Sequence, residues 1–532
     1  MQTLAGENKE EIEIFVSCTG LPKMDFLSKS DPRATIQKLN QKGQFEEVGK
    51  TEIIEGTLEP VFKTPIKTYF QFQTTQTMRV IVEDDDGGNK FEKIGSTEFE
   101  LSQVMAQKGL SMGFELKSDQ GKPVGKVNIT ISRAMKDKFS YTIDLKAKDI
   151  KDLEWLSTSD AFVRISRPKP QYTSELQHMN IPEPDGWVKV IDTEYKKDNL
   201  NPDFAEFTVQ ESKLCRGNEN LPLKLELIDF SKKGESEMKR IGKAFFTVKQ
   251  LLSGVKEIQT FDDKKKPSGT VIVEKVTKNR TYDILDYING GLSLNQLFLI
   301  DFTAANGSPK DPKSLHYNDL STTNSYEEVI RALGSVLFQY DVDKRIPMFG
   351  FGGSMPSIGI SESKDFFYMQ TEDLSFASSI PEALKIYNST FEYITLAGPC
   401  RLAPAIKSST EWVRGIAKDD KLFYAVLIIL CASEVGDIEE TIRAVVEASS
   451  EPLSILLVGI GPRLFHDLTF LDSDGVKLKT KEGKYSVRDI VQFVDYKSVK
   501  GLGDLSEKLL GELPGQVVEY FQMKGVAPIP KN

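Results

Sequence analysis

Asp25-Phe-Leu-Ser-Lys-Ser-Asp31 and Glu154-Trp-Leu-Ser-Thr-Ser-Asp160 are one phrase written twice. Working outward, Leu58-Glu-Pro-Val-Phe62 returns as Leu200-Asn-Pro-Asp-Phe204, and Val82-Glu-Asp-Asp-Asp86 as Leu227-Ile-Asp-Phe-Ser231. Ile94-Gly95 returns as Ile241-Gly242. The separation between partners only grows along the chain, as expected of one duplicated unit with insertions in its second copy. The largest insertion, around residues 168–187, contains prolines and predicts a surface loop. Alternating runs such as Glu11-Ile-Glu-Ile-Phe-Val and Lys126-Val-Asn-Ile-Thr-Ile are half-buried strand patterns. The first half therefore predicts two tandem β-domains.

The second half changes period. Leu297-Phe-Leu-Ile-Asp301, Phe423-Tyr-Ala-Val-Leu-Ile-Ile-Leu430 and Leu453-Ser-Ile-Leu-Leu-Val-Gly459 predict fully buried strands. Residues 326–340 and 437–448 have helical spacing between them. Alternation of this kind predicts a mostly parallel sheet covered on both faces. The link between the halves is expected near residues 277–291.

A chain of 532 residues is too long for one core. Its net charge of -10 disfavours bulk nucleic-acid binding, which needs basic surface. Cys18, Cys215, Cys400 and Cys431 form no Cys-x-x-Cys pair, so neither a disulfide framework nor a zinc site is expected, and a reducing cytosol fits. Residues 1–10 have no apolar signal core, and the longest apolar run, 422–432, is too short to span a bilayer. Membrane contact is expected to be peripheral.

Asp25 and Asp31 bracket one turn. Asp84, Asp85 and Asp86 sit in another, followed by Gly87-Gly88 and then Glu92. Calcium takes six to eight oxygens, so a site needs several carboxylates on loops. An aspartate triplet alone is more often a solvated turn. The combination is more specific: Asp-x5-Asp, Leu-x-Pro-x-Phe, Asp-x-Asp, then an acid before Ile-Gly. It resembles the calcium loops of C2 domains, eight-stranded sandwiches that bind calcium and then anionic lipid. The resemblance implies Asp25, Asp31, Asp84, Asp86 and Glu92 as calcium ligands, with Glu92 where the family more often has Asp. In the second copy the matching positions are Glu154, Asp160, Asp229, Ser231 and Lys239, which implies a degenerate, calcium-independent site. Phe26 and Leu27, and Trp155 and Leu156, stand at the loop tips. Lys232-Lys233 and Lys264-Lys265-Lys266 are read as solvated loops, with attraction to anionic lipid the alternative.

Leu299-Ile-Asp-Phe-Thr-Ala-Ala-Asn-Gly-Ser-Pro309 and Ser314-Leu-His-Tyr317 resemble the start of a von Willebrand factor A domain of the copine type. Leu285-Asp-Tyr-Ile-Asn-Gly-Gly291, Phe349-Gly-Phe-Gly352 and Asp489-Ile-Val-Gln-Phe-Val494 share that likeness. The chain is identified as a member of the copine family. The implied architecture is a first C2 domain (1–134), a second C2 domain (135–276) and a doubly wound α/β A domain (277–532). That fold places ligands at the carboxyl ends of its strands. The family's Mg²⁺ loop reads here Asp301-x-Thr303-x-Ala305, its Gly-Pro-Thr turn reads Gly398-Pro399-Cys400, and its Asp after the central strand is replaced in Leu430-Cys431-Ala432. Asp301 and Thr303 remain as a remnant expected to be empty of metal, with Glu434 a weak substitute.

His178, His316 and His466 lack companions at a catalytic spacing, and Gly350-Phe-Gly-Gly353 lacks the Lys-Ser/Thr of a phosphate loop. No enzymatic activity is expected. The resemblance implies a cytoplasmic adaptor that binds anionic phospholipid, at the plasma membrane, when calcium rises. Its A domain would recruit a protein partner, and nucleic acid is not a partner. The alternative is a constitutive, calcium-independent scaffold attached to the cytoskeleton.

Overall fold

The computed structural model describes residues 9–24, 29–40, 42–88, 90–107, 109–133, 139–153, 158–169, 181–183, 186–317, 322–369, 376–472 and 477–529. The first sandwich contains β1 (Lys9–Thr19), β2 (Pro32–Leu39), β3 (Phe45–Lys50), β4 (Ile66–Gln71), β5 (Thr77–Asp85), β6 (Phe91–Glu100), β7 (Ser111–Lys117) and β8 (Pro123–Arg133). The second contains β9 (Phe139–Lys148), β10 (Ala161–Pro168), β11 (Trp187–Asp192), β12 (Phe207–Gln210), β13 (Leu223–Asp229), β14 (Lys239–Phe246), β15 (Glu257–Phe261) and β16 (Pro267–Arg280).

The ladders run β3-β2-β5-β6-β7-β8-β1-β4 and β11-β10-β13-β14-β15-β16-β9-β12, one permutation used twice. The alternation read in the sequence drives this. In β5 every second side chain, Met78, Val80, Val82 and Asp84, is buried, so one face of the strand enters the core. Ile94-Gly95 and Ile241-Gly242 have a packing reason. A Cβ on Gly95 would lie 2.6 Å from Val124 Cγ2, and one on Gly242 would lie 1.8 Å from Ser268 Oγ. Most of the predicted loop at 168–187 lies outside the described residues.

Among the described residues, the main sheet of the third domain has six strands beginning at Phe367, Met348, Ser293, Phe423, Leu453 and Val491 in spatial order, beside a small three-stranded sheet of Ile360–Lys364, Gly353–Met355 and Thr395–Leu396. In the main sheet all pairs are parallel except the short edge strand Phe367–Tyr368. Every residue of Ser293–Asp301, Phe423–Cys431 and Leu453–Gly459 is buried, including the polar Ser293, Asn295 and Gln296, as expected of strands covered by helices on both faces. Helices Ser325–Leu337 and Ile438–Ala448 fall where the helical spacing placed them.

Residues 277–291, expected as a link, are ordered. β16 stays paired to β9 as far as Arg280, and helix Ile284–Asn289 follows, opened by a capping box between Asp283 and Asp286. The chain divides into two compact units, Met1–Ala134 with Tyr282–Asn532, and Met135–Thr281. The division falls between Thr281 and Tyr282, inside the expected link. Within the first unit, Arg133 of β8 pairs with Glu10 at 2.6 Å and reaches Asp283 and Asp286 of the third domain. Phe72 stacks on Tyr340 with ring centroids 4.5 Å apart. Among the described residues, no helix is long and apolar enough to cross a membrane.

Candidate functional site

The loops at one end of the first sandwich are held by their own carboxylates. A bulge between Val82 and Glu83 shifts the β5–β6 register, so Asp84 stands across the ladder from Glu92. Beyond it Asp86 N–H donates to Lys90 O, and Gly87 (φ 80°) and Gly88 (φ 64°) adopt the left-handed conformation that a side chain disfavours. Asp31 N–H donates to Asp84 Oδ1 at 2.5 Å, and Gly56 N–H donates to Asp31 Oδ1 at 2.5 Å. Asp84 is buried, and its Oδ2 has no hydrogen-bond partner among the described residues. Asp86 and Glu92 are exposed. Asp25, with Phe26 and Leu27, lies outside the described residues. Among those described, no three acidic side chains of these loops bring ligand atoms within 4.8 Å of one another.

An orphaned buried carboxylate oxygen flanked by further acids fits a hard divalent cation. Asp84, Asp86, Asp31 and Glu92 would hold it, and the ion would supply charge neutralisation and open coordination positions.

The second sandwich repeats the scaffold with other charges. The bulge recurs between Leu227 and Ile228, and Asp229 stands across from Lys239. Asp160 N–H donates to Asp229 Oδ1 at 2.8 Å, and Asp198 N–H donates to Asp160 Oδ1 at 2.8 Å. Burial, with the nearby Asp160 charge, pushes the Asp229 carboxyl above the usual carboxylate range. Where the first domain has Asp86 and Glu92, this one has Ser231 and Lys239. A cation in the loop repels a metal directly. Glu154, Trp155 and Leu156 lie outside the described residues.

In the third domain Asp301 ends its strand fully buried. Thr303 N–H (2.7 Å) and Asn306 Nδ2 (3.2 Å) donate to Oδ1, and Ala432 N–H (2.8 Å) donates to Oδ2. Burial nevertheless raises its pKa. His316, which the sequence reading left as structural, bridges Tyr387 Oη and Asp301 O at 2.8 Å each, and burial lowers its pKa to about 3. The donor set does not fit Mg²⁺. Ala305 and Ala432 offer no side-chain oxygen, Cys400 offers sulfur, and Glu434 is exposed.

Sequence reasoning missed that Cys400 and Cys431 meet, with Sγ atoms 3.4 Å apart. Their separation along the chain gives no motif. They converge because the turn before helix Ala403–Ile416 crosses the end of strand Phe423–Cys431. Asn306 lies inside the quoted stretch 299–309, yet its bond to Asp301 depends on the turn at Ala304–Asn306, which the sequence reading did not place.

The chain is similar in sequence to known proteins. The profile described as Copine matches residues 314–529, and that described as C2 domain matches 12–116 and 141–262. Copine-A of Dictyostelium discoideum is 30% identical over 533 residues, covering 98% of this chain and 85% of its own length. A solved, calcium-bound structure of the two C2 domains of Extended-Synaptotagmin 2 covers 51% of this chain and 97% of its own at 16% identity, with a TM-score of 0.20. A solved C2 domain of BON1 covers 27% and 93% at 22% identity, with a TM-score of 0.22.

Proposed function

The chain belongs to the copine family, and from that premise we propose that it is a non-enzymatic, calcium-dependent phospholipid-binding adaptor. The observation that carries the reading is Asp84, buried at the loop end of the first sandwich with one carboxylate oxygen unpartnered. Leaving such an oxygen bare costs about 1–3 kcal/mol, and a calcium ion would remove that cost. Without calcium, Asp31, Asp84, Asp85, Asp86 and Glu92 repel anionic headgroups. With calcium the charge is cancelled and lipid phosphates complete the coordination. Phe26 and Leu27, apolar neighbours of Asp25 in the sequence, then enter the bilayer surface.

In this reading the second sandwich does not respond to calcium, and the third domain offers its partner a surface that needs no Mg²⁺. The protein is cytoplasmic at rest and peripheral to the plasma membrane after a calcium rise. A second reading, a calcium-independent scaffold, draws support from Lys239 and from the oxygen-poor ligand set around Asp301. Co-sedimentation of the full chain with phosphatidylserine vesicles separates the two. The adaptor pellets with calcium and stays soluble in EGTA, whereas a scaffold behaves the same in both.

A further inference from the structure

Asp301 and Cys431 end two neighbouring parallel strands, and Cys400 lies in the turn that crosses them. One ligand atom from each of the three falls within 4.8 Å of the others, and all three side chains are buried. We propose that this cluster binds Zn²⁺ through the thiolates of Cys400 and Cys431 and the carboxylate of Asp301. A water or a neighbouring hydroxyl takes the fourth position. The ion would stand where the family's magnesium stands, with a different chemistry and no exposed face for a partner.

Ligand softness argues for zinc over a hard cation. Magnesium demands six oxygens, whereas paired sulfurs with one carboxylate suit a four-coordinate, borderline-soft ion. Distances agree. Tetrahedral zinc with Zn–S bonds of about 2.3 Å places two sulfurs about 3.8 Å apart. The observed 3.4 Å reaches that by a shift of a few tenths of an ångström. The surroundings are those of a held ligand. Thr303 and Ala432 N–H groups and Asn306 orient the Asp301 carboxylate, and His316 fixes its backbone carbonyl.

Charge also balances. One Zn²⁺ enters and two thiol protons leave to solvent, so the net charge of the buried cluster does not change. The ion would clip the turn preceding helix Ala403–Ile416 to the central strand. Zinc is therefore a structural element of this domain rather than a bridge to a partner.

The test uses the full chain carrying Asp84→Asn and Asp86→Asn, so that the acidic loops take no metal. Protein purified without chelator should contain one zinc per chain. After metal removal under reducing conditions, Co²⁺ should restore a thiolate-to-cobalt charge-transfer band with the intense visible bands of tetrahedral cobalt. Below the thiol titration its affinity should rise about hundredfold per pH unit, because two protons are released. Cys400→Ala and Cys431→Ala should each abolish the band, and Cys18→Ala with Cys215→Ala should leave it intact. Should the cluster variants fail to fold, X-ray absorption at the zinc edge of the unsubstituted cluster replaces them, with two sulfur neighbours at about 2.3 Å expected. Folded protein lacking zinc and giving no charge-transfer band would overturn the proposal. So would a Cys400–Cys431 disulfide in freshly purified protein, or a zinc shell without sulfur.

Discussion

The two sandwiches share a strand order, a bulge before the loop acids, and a pair of aspartates that accept the same backbone N–H bonds. Asp31 and Asp84 brace the loops of the first, and Asp160 and Asp229 brace those of the second. They differ one step further out, where Asp86 and Glu92 face Ser231 and Lys239 as counterparts. The difference shows that two of the acids in a calcium loop have a structural task independent of metal. Their presence in the second domain is explained by that task alone. Evidence for calcium in the first domain therefore rests on Asp86, Glu92 and the bare Oδ2 of Asp84.

The comparison breaks if the sandwiches do not unfold separately. Arg133→Ala removes the ion pairs to Glu10, Asp283 and Asp286 and leaves their carboxylates crowded in a partly buried site. It should cost about 3 kcal/mol in the unit of residues 1–134 and 282–532. The melting step of residues 135–281 should not move. Calorimetry with hydrogen exchange by region measures both, and an equal loss in the two units would refute the division. The shared frame is tested by Gly95→Ala and Gly242→Ala. Each Cβ would meet a neighbour well inside van der Waals contact, so each should cost its own sandwich about 1–3 kcal/mol by denaturant titration. Indifference at either position would mean that the Ile-Gly repeat has no packing cause.

The difference in charge is sharpened by exchange. In the Asp84→Asn, Asp86→Asn background, Ser231→Asp with Lys239→Asp should give the second sandwich a calcium-dependent rise in Tm. At tenfold excess over Kd the gain is about 1.4 kcal/mol. Without the added acids no rise is expected.

The smallest effect concerns Asp229. Its folded pKa is raised, so the folded state binds the proton more tightly than the unfolded state, and this group's contribution to stability falls as pH rises through that range. Asp229→Asn keeps the acceptor for Asp160 N–H and removes the charge. It should raise the Tm of the second sandwich slightly at pH 7, and the gain should shrink as pH falls toward the ordinary carboxylate range. A gain that grows on acidification would reverse the sign.

Patterns carried by neighbours in sequence were legible. Leu453–Gly459 begins and ends where its apolar run does, and Phe423–Cys431 exceeds the quoted run by one residue. The misreadings are contacts between distant residues. The link expected at residues 277–291 contains the division between the two compact units, after Thr281; what its sequence hides is the end of β16, which runs to Arg280 because β9 pairs with it. The resemblance set Cys400 and Cys431 in two turns of one site, but their sulfur contact was not legible because a parallel sheet, rather than a short motif, brings them together. The double task of Asp31 and Asp84 was invisible for the same reason: their donors lie on other loops.

The most direct measurement is calcium-dependent pelleting of the full chain with phosphatidylserine vesicles, wild type against Asp84→Asn with Asp86→Asn. Wild type is expected to pellet with calcium and to be released by EGTA, and the double variant, though folded, is expected to stay in the supernatant in both. A double variant that pellets with calcium as wild type does would contradict the assignment of the response to the first sandwich.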